Sequence, residues 1–304
     1  MIKNSKIGGY NVLSLFDGIS CGHIALERAG ITVNNYYASE IDKYAIQITQ
    51  KNYPNTIQLG DINNIDFSQF IGKIDIIIGG SPCQDLSIAK ANREGLSGKR
   101  SCLFYKFIEA IRIIKPKYFL LENNYSMTNE AKDIITKEMG IEPIMINSNL
   151  FSAQNRKRLY WTNIPIAELP EKCDIKLQDI LESGVVDRNK SLCLTRRYAG
   201  FVGSQSYLCR RYFGKSMGQA VFNGNLDDIK IIKDKWQENN YFSDEELERK
   251  VIRPMTCLEC ERLQTLPDNY TNCIDSEIAR KETIGNGWTV DVIAHIFKGL
   301  KNNV

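Results

Sequence analysis

Apolar and polar positions over the first half of the chain alternate in blocks that read as strand, turn and helix, repeated. Val12 to Phe16 (VLSLF) is a short apolar run leading into DGISCG, after which Ile24, Ala25, Leu26 and Ala29 recur at helical spacing. YYAS at 36–39 predicts a second strand ending at Glu40, and Tyr44, Ala45 and Ile48 predict a helix that stops before Pro54. TIQLGD (56–61), the strongly apolar IDIIIGG (74–80), a helix over 103–114 and the strand YFLLEN (118–123) continue the rhythm. Buried strands alternating with amphipathic helices imply an α/β fold with a mostly parallel sheet covered on both faces.

Beyond Pro165 the texture changes. From Arg188 to Met217 there are seven Lys/Arg and no Asp/Glu, with Tyr198, Phe201, Tyr207, Tyr212 and Phe213 among them. A solvated irregular lobe explains such a stretch, and so does a surface that contacts phosphates and bases through Arg196, Arg197, Arg210 and Arg211. The helical pattern returns at Thr289, where Val290, Ile293, Ile296, Phe297 and Leu300 share a face; this tail is expected to pack back on the first domain.

Composition narrows the class. A chain of 304 residues with 43% hydrophobic residues suits one or two domains, and a formal charge of +3 announces no nucleic-acid partner by itself. Nine cysteines, an odd number without regular spacing, suit a reducing compartment better than a disulfide framework. Cys257 and Cys260 form one C-x-x-C pair, but His23 and His295 lie far away and no metal is expected. With no cleavable leader and no run of about 20 apolar residues, the expectation is a cytoplasmic protein without a membrane partner.

The candidate chemistry gathers at strand ends. Asp17, Gly18 and Gly22 form a glycine turn after the first strand, and Glu40 follows the second, an arrangement suited to a nucleotide-like ligand. The spacing is not that of a dinucleotide fingerprint, so a plain dehydrogenase fits poorly. Asp61 ends the third strand, where it can bond an adenine amino group or simply cap a turn. Cys83 follows the most buried strand in GGSPCQ; an inert buried thiol is the commoner fate of the residue, and a nucleophile would need an electropositive surround or a proton acceptor. Glu122-Asn123 ends the next strand, and Gln154-Asn155-Arg156-Lys157-Arg158 follows a further apolar run, so a thiol, an acid and paired arginines would converge.

In their order FDGISCG, PCQ, ENN, QNRKR, RPMTCLECERLQTLP and IGNGWTV, these segments resemble the cytosine-5 DNA methyltransferase family of bacterial or phage type. The SPCQDLS run and the tryptophan of GNGWTV are similar to the vertebrate de novo branch. The resemblance spans nearly the whole chain except about 166–250. It implies a Rossmann-like S-adenosylmethionine-dependent methyltransferase domain over 1–165 and 275–304, and a smaller, irregular target recognition domain over 166–274. It also implies S-adenosylmethionine as cofactor, S-adenosylhomocysteine as product, double-stranded DNA as partner, a monomer, and any cognate restriction endonuclease acting separately.

Residue by residue, the resemblance makes Cys83 the nucleophile, Glu122 the acid at cytosine N3, and Arg156 and Arg158 the orienters of base and carboxylate. It puts Phe16, Asp17, Gly18, Gly22, Glu40, Ile41, Asp61, Ile62, Pro82, Leu103, Asn286 and Trp288 around the cofactor. The loop 84–101, with Ser87, Arg93, Lys99 and Arg100, becomes a clamp over an extruded base. Cys21, Asn124 and Ser101 stand where the family usually has glycine, valine and glycine. A transfer-RNA cytosine methyltransferase is the rival within the same fold, and a catalytically dead DNA-binding protein the rival outside enzymes; intact Cys83, Glu122 and both arginines speak against the latter.

Overall fold

The structure is a computed structural model describing residues 8–81, 102–214, 218–239 and 250–303. The chain forms two compact units. One comprises Met1–Asn147, Lys157–Glu168 and Val290–Val304, the other Ser148–Arg156 and Leu169–Thr289.

The first unit is built on a seven-stranded sheet of β1 (Tyr10–Leu15), β2 (Val33–Ser39), β3 (Ile57–Gln58), β4 (Ile76–Gly80), β5 (Tyr118–Asn124), β6 (Ile144–Asn147) and β7 (Lys157–Thr162), in the order β3-β2-β1-β4-β5-β7-β6. The first five strands are parallel, and β7 runs antiparallel to both neighbours. Ile76, Ile77 and Ile78 of β4 are fully buried, as an apolar run covered on both faces must be. Each such side chain contributes about 1.5–3 kcal/mol on burial. Gly79 has no room for a side chain, since a Cβ there would stand 2.6 Å from the Leu15 carbonyl oxygen and 3.0 Å from the Phe107 ring.

Helices α1 (Cys21–Arg28), α2 (Lys43–Asn52) and α3 (Cys102–Ile114) fall where the apolar spacing predicts them, and α4 (Asn129–Met139) is a helix the sequence reading did not predict. Asp42 caps α2 by accepting from the Tyr44 and Ala45 amides, while α4 starts on Thr128 and ends on Gly140 in the left-handed conformation. The terminal helix Val290–Phe297 belongs to this unit and joins α1 through Arg28 and Asp291, 2.7 Å apart. Two expectations were incomplete: β3 pairs over two residues only, and β7 was not anticipated as a strand.

The second unit contains the antiparallel ribbon of β8 (Ala220–Phe222) and β9 (Ile252–Pro254), short helices and irregular turns. Its core is aromatic: Tyr198 stacks on Phe201 and Tyr212 packs edge-on to Phe222. Glu259 and Glu261 are fully buried but paired. Glu259 takes two bonds from Arg253, at 2.9 and 2.8 Å, and closes a capping box with Thr256; Glu261 accepts from Thr271 and the Asn269 amide. Such partners are what let carboxylates sit away from water. No helix among the described residues is long and apolar enough to cross a membrane.

Candidate active site

Register brings the expected residues of the first unit to one edge. Leu15 of β1 is paired with Ser39 of β2 and Gly79 of β4, and Gly79 with Leu121 of β5. The residues that follow, Phe16, Glu40, Gly80 and Glu122, therefore line the carboxyl edge of the sheet, where open α/β sheets bind ligands.

On the β1–β2 side the turn is set by backbone geometry. Phe16 has φ 60° and Gly18 φ 61°, and nothing lies within 4 Å of a Cβ placed on Gly18, so a ligand can approach that backbone closely. The Gly18 amide donates to Glu40 Oε2 at 2.8 Å, while Glu40 Oε1 accepts from the Ile41 and Asp42 amides at 2.8 and 2.9 Å. Three of about four carboxylate lone-pair sites are thus used to orient the group, and Oε2 keeps capacity for a hydroxyl donor such as a ribose diol. Ile41 beside it is 74% exposed, an apolar surface with no core to fill.

Asp17 is turned elsewhere. Its carboxylate accepts from Ser20 Oγ and, at 2.8 Å, from the Tyr36 hydroxyl, and burial pushes its carboxyl up to about 6 against the lowering effect of hydrogen bonds from Ser14, Ser20 and Tyr36. Gly22 and Ile62 are buried, Ile62 within the main apolar cluster, which Phe16 and Leu103 border. Asp61 caps the turn Ile62–Asn64 by accepting from the Asn63 amide at 2.9 Å. Asn286 and Trp288 belong to the second unit.

On the β4–β5 side Gly80 is directly paired with Glu122. Glu122, 9% exposed, receives Arg158 Nε at 2.8 Å on Oε1. Arg158 also donates to the Lys157 carbonyl at 2.9 Å and to Asn124 Oδ1 at 3.4 Å, so its guanidinium is held by three partners of the same unit. Asn123 donates to Ser81 Oγ at 3.1 Å, tying the end of β5 to the residue that leads into Pro82 and Cys83. That bond was not expected from the sequence, where ENN marks a strand end without saying which way Asn123 faces. Pro82, Cys83, Ser87, Arg93, Lys99 and Arg100 lie outside the described residues.

The paired arginines part company. Arg156, 4% exposed, belongs to the second unit, where its guanidinium donates to the carbonyls of Leu194 and, at 2.9 Å, Gly287. Beside it a buried network joins Gln154 to the Leu263 carbonyl and to Gln264, and Gln264 to Thr289 and the Gly287 carbonyl. Neither glutamine was given a role from the sequence.

The basic stretch of the second unit is only partly a surface. Tyr198, Phe201 and Tyr212 are buried core, so three of the five aromatics expected to be available for bases are not. Arg188 pairs with Asp187 and Arg196 with Glu282. Among the described residues the exposed remainder is Arg197 and Arg210, with half-buried Tyr207 between Arg210 and Arg211, whose guanidinium carbons stand 5.7 and 5.6 Å from its ring centre.

A glycine turn and an oriented carboxylate stand at one edge of a mostly parallel sheet, and a second carboxylate three strands from the first is ion-paired to an arginine of the neighbouring strand, the layout of an α/β unit that binds ligands at its carboxyl edge. Residues 10–302 match the family described as C-5 cytosine-specific DNA methylase, and the chain belongs to that family. It is 28% identical over 335 residues to Type II methyltransferase M.FnuDI of Fusobacterium nucleatum, covering 96% of this chain and 94% of that protein. It is 33% identical over 193 residues to the orphan methyltransferase M.SPRI of Bacillus phage SPR, covering 59% of this chain, and it spans only 44% of that relative's length. The crystal structure of S. pombe Dnmt2 methyltransferase shares the fold with a TM-score of 0.70 at 18% identity, over 97% of this chain and 99% of that one. The Entamoeba histolytica methyltransferase EhMeth does so with a TM-score of 0.72 at 18% identity, over 97% and 99%.

Proposed function

We infer that the protein is an S-adenosylmethionine-dependent DNA (cytosine-5) methyltransferase with Cys83 as nucleophile and Glu122 as the acid at N3 of the target base. The observation that carries this reading is the in-register pairing of Gly80 with Glu122: the chain leaves β4 beside that carboxylate and reaches Cys83 three residues later. Family membership over residues 10–302 supports it.

S-adenosylmethionine supplies an electrophilic methyl group. The residues present fit such a ligand: Glu40, locked by three amides, would take ribose hydroxyls, the bare backbone of Gly18 leaves room for close approach, Ile41 would give apolar cover to the adenine, and Asp61 would accept from its amino group. The Cys83 thiolate adds to C6 while Glu122, in its protonated form and still hydrogen-bonded by Arg158, gives its proton to N3, so the C5–C6 electron pair becomes available at C5. Arg158 keeps the Glu122 carboxyl aimed through this step, and Asn123 steadies the entry to the nucleophile through Ser81. After C5 has taken the methyl group, its proton leaves to a base, the C5–C6 double bond reforms, the C6–S bond breaks, and N3 returns its proton to Glu122. A cytosine stacked in a duplex cannot be reached in this way, so the base is turned out of the helix.

The second unit is assigned to target recognition, with Arg197, Arg210, Arg211 and Tyr207 toward DNA; Arg156 holds its own segment in place. The same reading takes double-stranded DNA as substrate, the cytoplasm as the place of action, a monomer as the working form, and any restriction endonuclease as a separate protein, in keeping with relatives named as orphan and as Type II methyltransferases.

The test is DNA carrying 5-fluorocytosine at the target, found first by bisulfite sequencing of a methylation-free host. Fluorine cannot leave C5 as a cation, so elimination stops and a denaturation-resistant protein–DNA complex is expected only when S-adenosylmethionine is present. Cys83→Ser should abolish it, a hydroxyl being a far weaker nucleophile, and Ala at Cys257 or Cys260 should not. A cofactor-dependent adduct formed by Cys83→Ser at the parent rate would refute the assignment.

A further inference from the structure

Lys190 belongs by sequence to the basic stretch expected to face phosphates, yet its side chain is turned into the second unit. Its ammonium stands 3.1 Å from the carbonyl oxygen of Asn149, 2.8 Å from that of Ser152, 3.1 Å from that of Cys173 and 2.9 Å from that of Ile175. An ammonium has three N–H donors, so four converging carbonyls cannot each receive one unshared hydrogen bond. The arrangement is that of a monovalent cation in a ring of backbone carbonyls, the ligand set from which potassium sites are built. Four carbonyl dipoles aimed at one point repel each other unless a positive charge sits there.

What this charge holds together is specific. Asn149 and Ser152 lie in the turn that runs into Gln154, Asn155 and Arg156, whereas Cys173 and Ile175 come from a stretch otherwise without regular structure. Ser191, next to Lys190, grips the same turn through its backbone: its amide donates to the Ala153 carbonyl at 2.7 Å and its carbonyl accepts the Asn155 amide at 3.0 Å. The turn is clasped from both sides before the chain delivers Arg156 to the Leu194 and Gly287 carbonyls and continues into β7, which carries Arg158.

We propose that Lys190 acts as a tethered monovalent cation and is a positioning residue for the methyl transfer, fixing the turn at 149–155 that both arginines follow. Its bearing on catalysis rests on the function inferred above; the carbonyl cage does not. The charge can therefore be supplied from solution once the side chain is removed.

The experiment compares the full chain with Lys190→Ala and Lys190→Met in buffers whose only monovalent cation is potassium, ammonium or tetramethylammonium, at equal ionic strength. Lys190→Ala in tetramethylammonium should lose about ten- to a hundredfold in kcat, the effect of displacing catalytic groups by about an ångström, with KM for S-adenosylmethionine unchanged. Potassium or ammonium should restore both kcat and the thermal midpoint of Lys190→Ala. Neither should restore Lys190→Met, whose side chain fills the space without charge, and the parent should respond to none of them. Equal behaviour of Lys190→Ala in potassium and tetramethylammonium, or full activity of Lys190→Met, overturns the proposal. If the parent fails to methylate DNA, the functional reading falls, and the potassium-specific gain in midpoint still decides the cage. If Lys190→Ala does not fold in any salt, acylation of the native parent decides: Lys190 should react more slowly than Lys172, whose side chain is 80% exposed, and equal rates refute the cage.

Discussion

Asp17→Asn should make the protein more stable at neutral pH, by an amount that depends on pH in a stated way. The Asp17 carboxyl is pushed up to about 6 from 3.8 chiefly by burial. Its protonated form is thus favoured in the native state, and the stability it contributes is complete below the unfolded value near 3.8. As pH rises the unfolded chain gives up this proton first, so stability falls until the native carboxyl has also ionised, above about 6. At 1.36 kcal/mol per pH unit, a shift of about two units amounts to ~3 kcal/mol lost at pH 8. Asparagine never ionises, matches the side chain in shape, and can still accept from Tyr36 while donating to Ser20. Urea unfolding of parent and variant should therefore show a stability gap of about 3 kcal/mol at pH 8 that narrows to roughly half at pH 5, below the native value. The change in the gap is the sharper test, because altered hydrogen bonds shift both measurements alike. A gap that is constant from pH 8 to pH 5, or one that widens toward acid, would refute a buried, raised carboxyl at Asp17.

Three further outcomes follow from the site. Glu40→Ala should weaken S-adenosylmethionine binding by ~1.5–3 kcal/mol in calorimetry, the range for hydrogen bonds to a charged group, and unchanged affinity would remove Glu40 from the cofactor site. Arg158→Ala leaves the Glu122 carboxylate buried without its ion pair and should cost roughly 3 kcal/mol of stability; in a double-mutant cycle with Glu122→Gln the two losses should not add, and simple additivity would show that the 2.8 Å pair carries no coupling. Replacing Arg210 and Arg211 together by alanine should lower DNA affinity and reduce the slope of log affinity against log salt by about 2, near 0.9 per phosphate contact; an unchanged slope would make that pair a solvated face.

Much of the first unit was legible because its signals are local. Apolar runs at Val12–Phe16, Ile76–Gly80 and Tyr118–Asn123 specify buried strands whichever neighbours they pair with, and a carboxylate or glycine turn at the end of each must fall at a sheet edge, since parallel strands share one direction. That Glu40, Gly18 and Glu122 lie at that edge could be read from order along the chain alone. β7 escaped because KRLYWT mixes two basic residues with a short apolar run, and its reversed direction depends on pairing with β5 and β6, which no local pattern encodes. Side-chain direction was equally hidden. Arg156 and Arg158 stand two residues apart in QNRKR, yet one spends its guanidinium on the Leu194 and Gly287 carbonyls and the other on Glu122, because those partners lie 38, 131 and 36 residues away in the chain. The same holds for Asp17, turned to Tyr36, and for Lys190, counted as a surface charge and found among four carbonyls. Composition records that a charge is present; only the packed chain decides whether water, a carboxylate or a ring of backbone oxygens satisfies it.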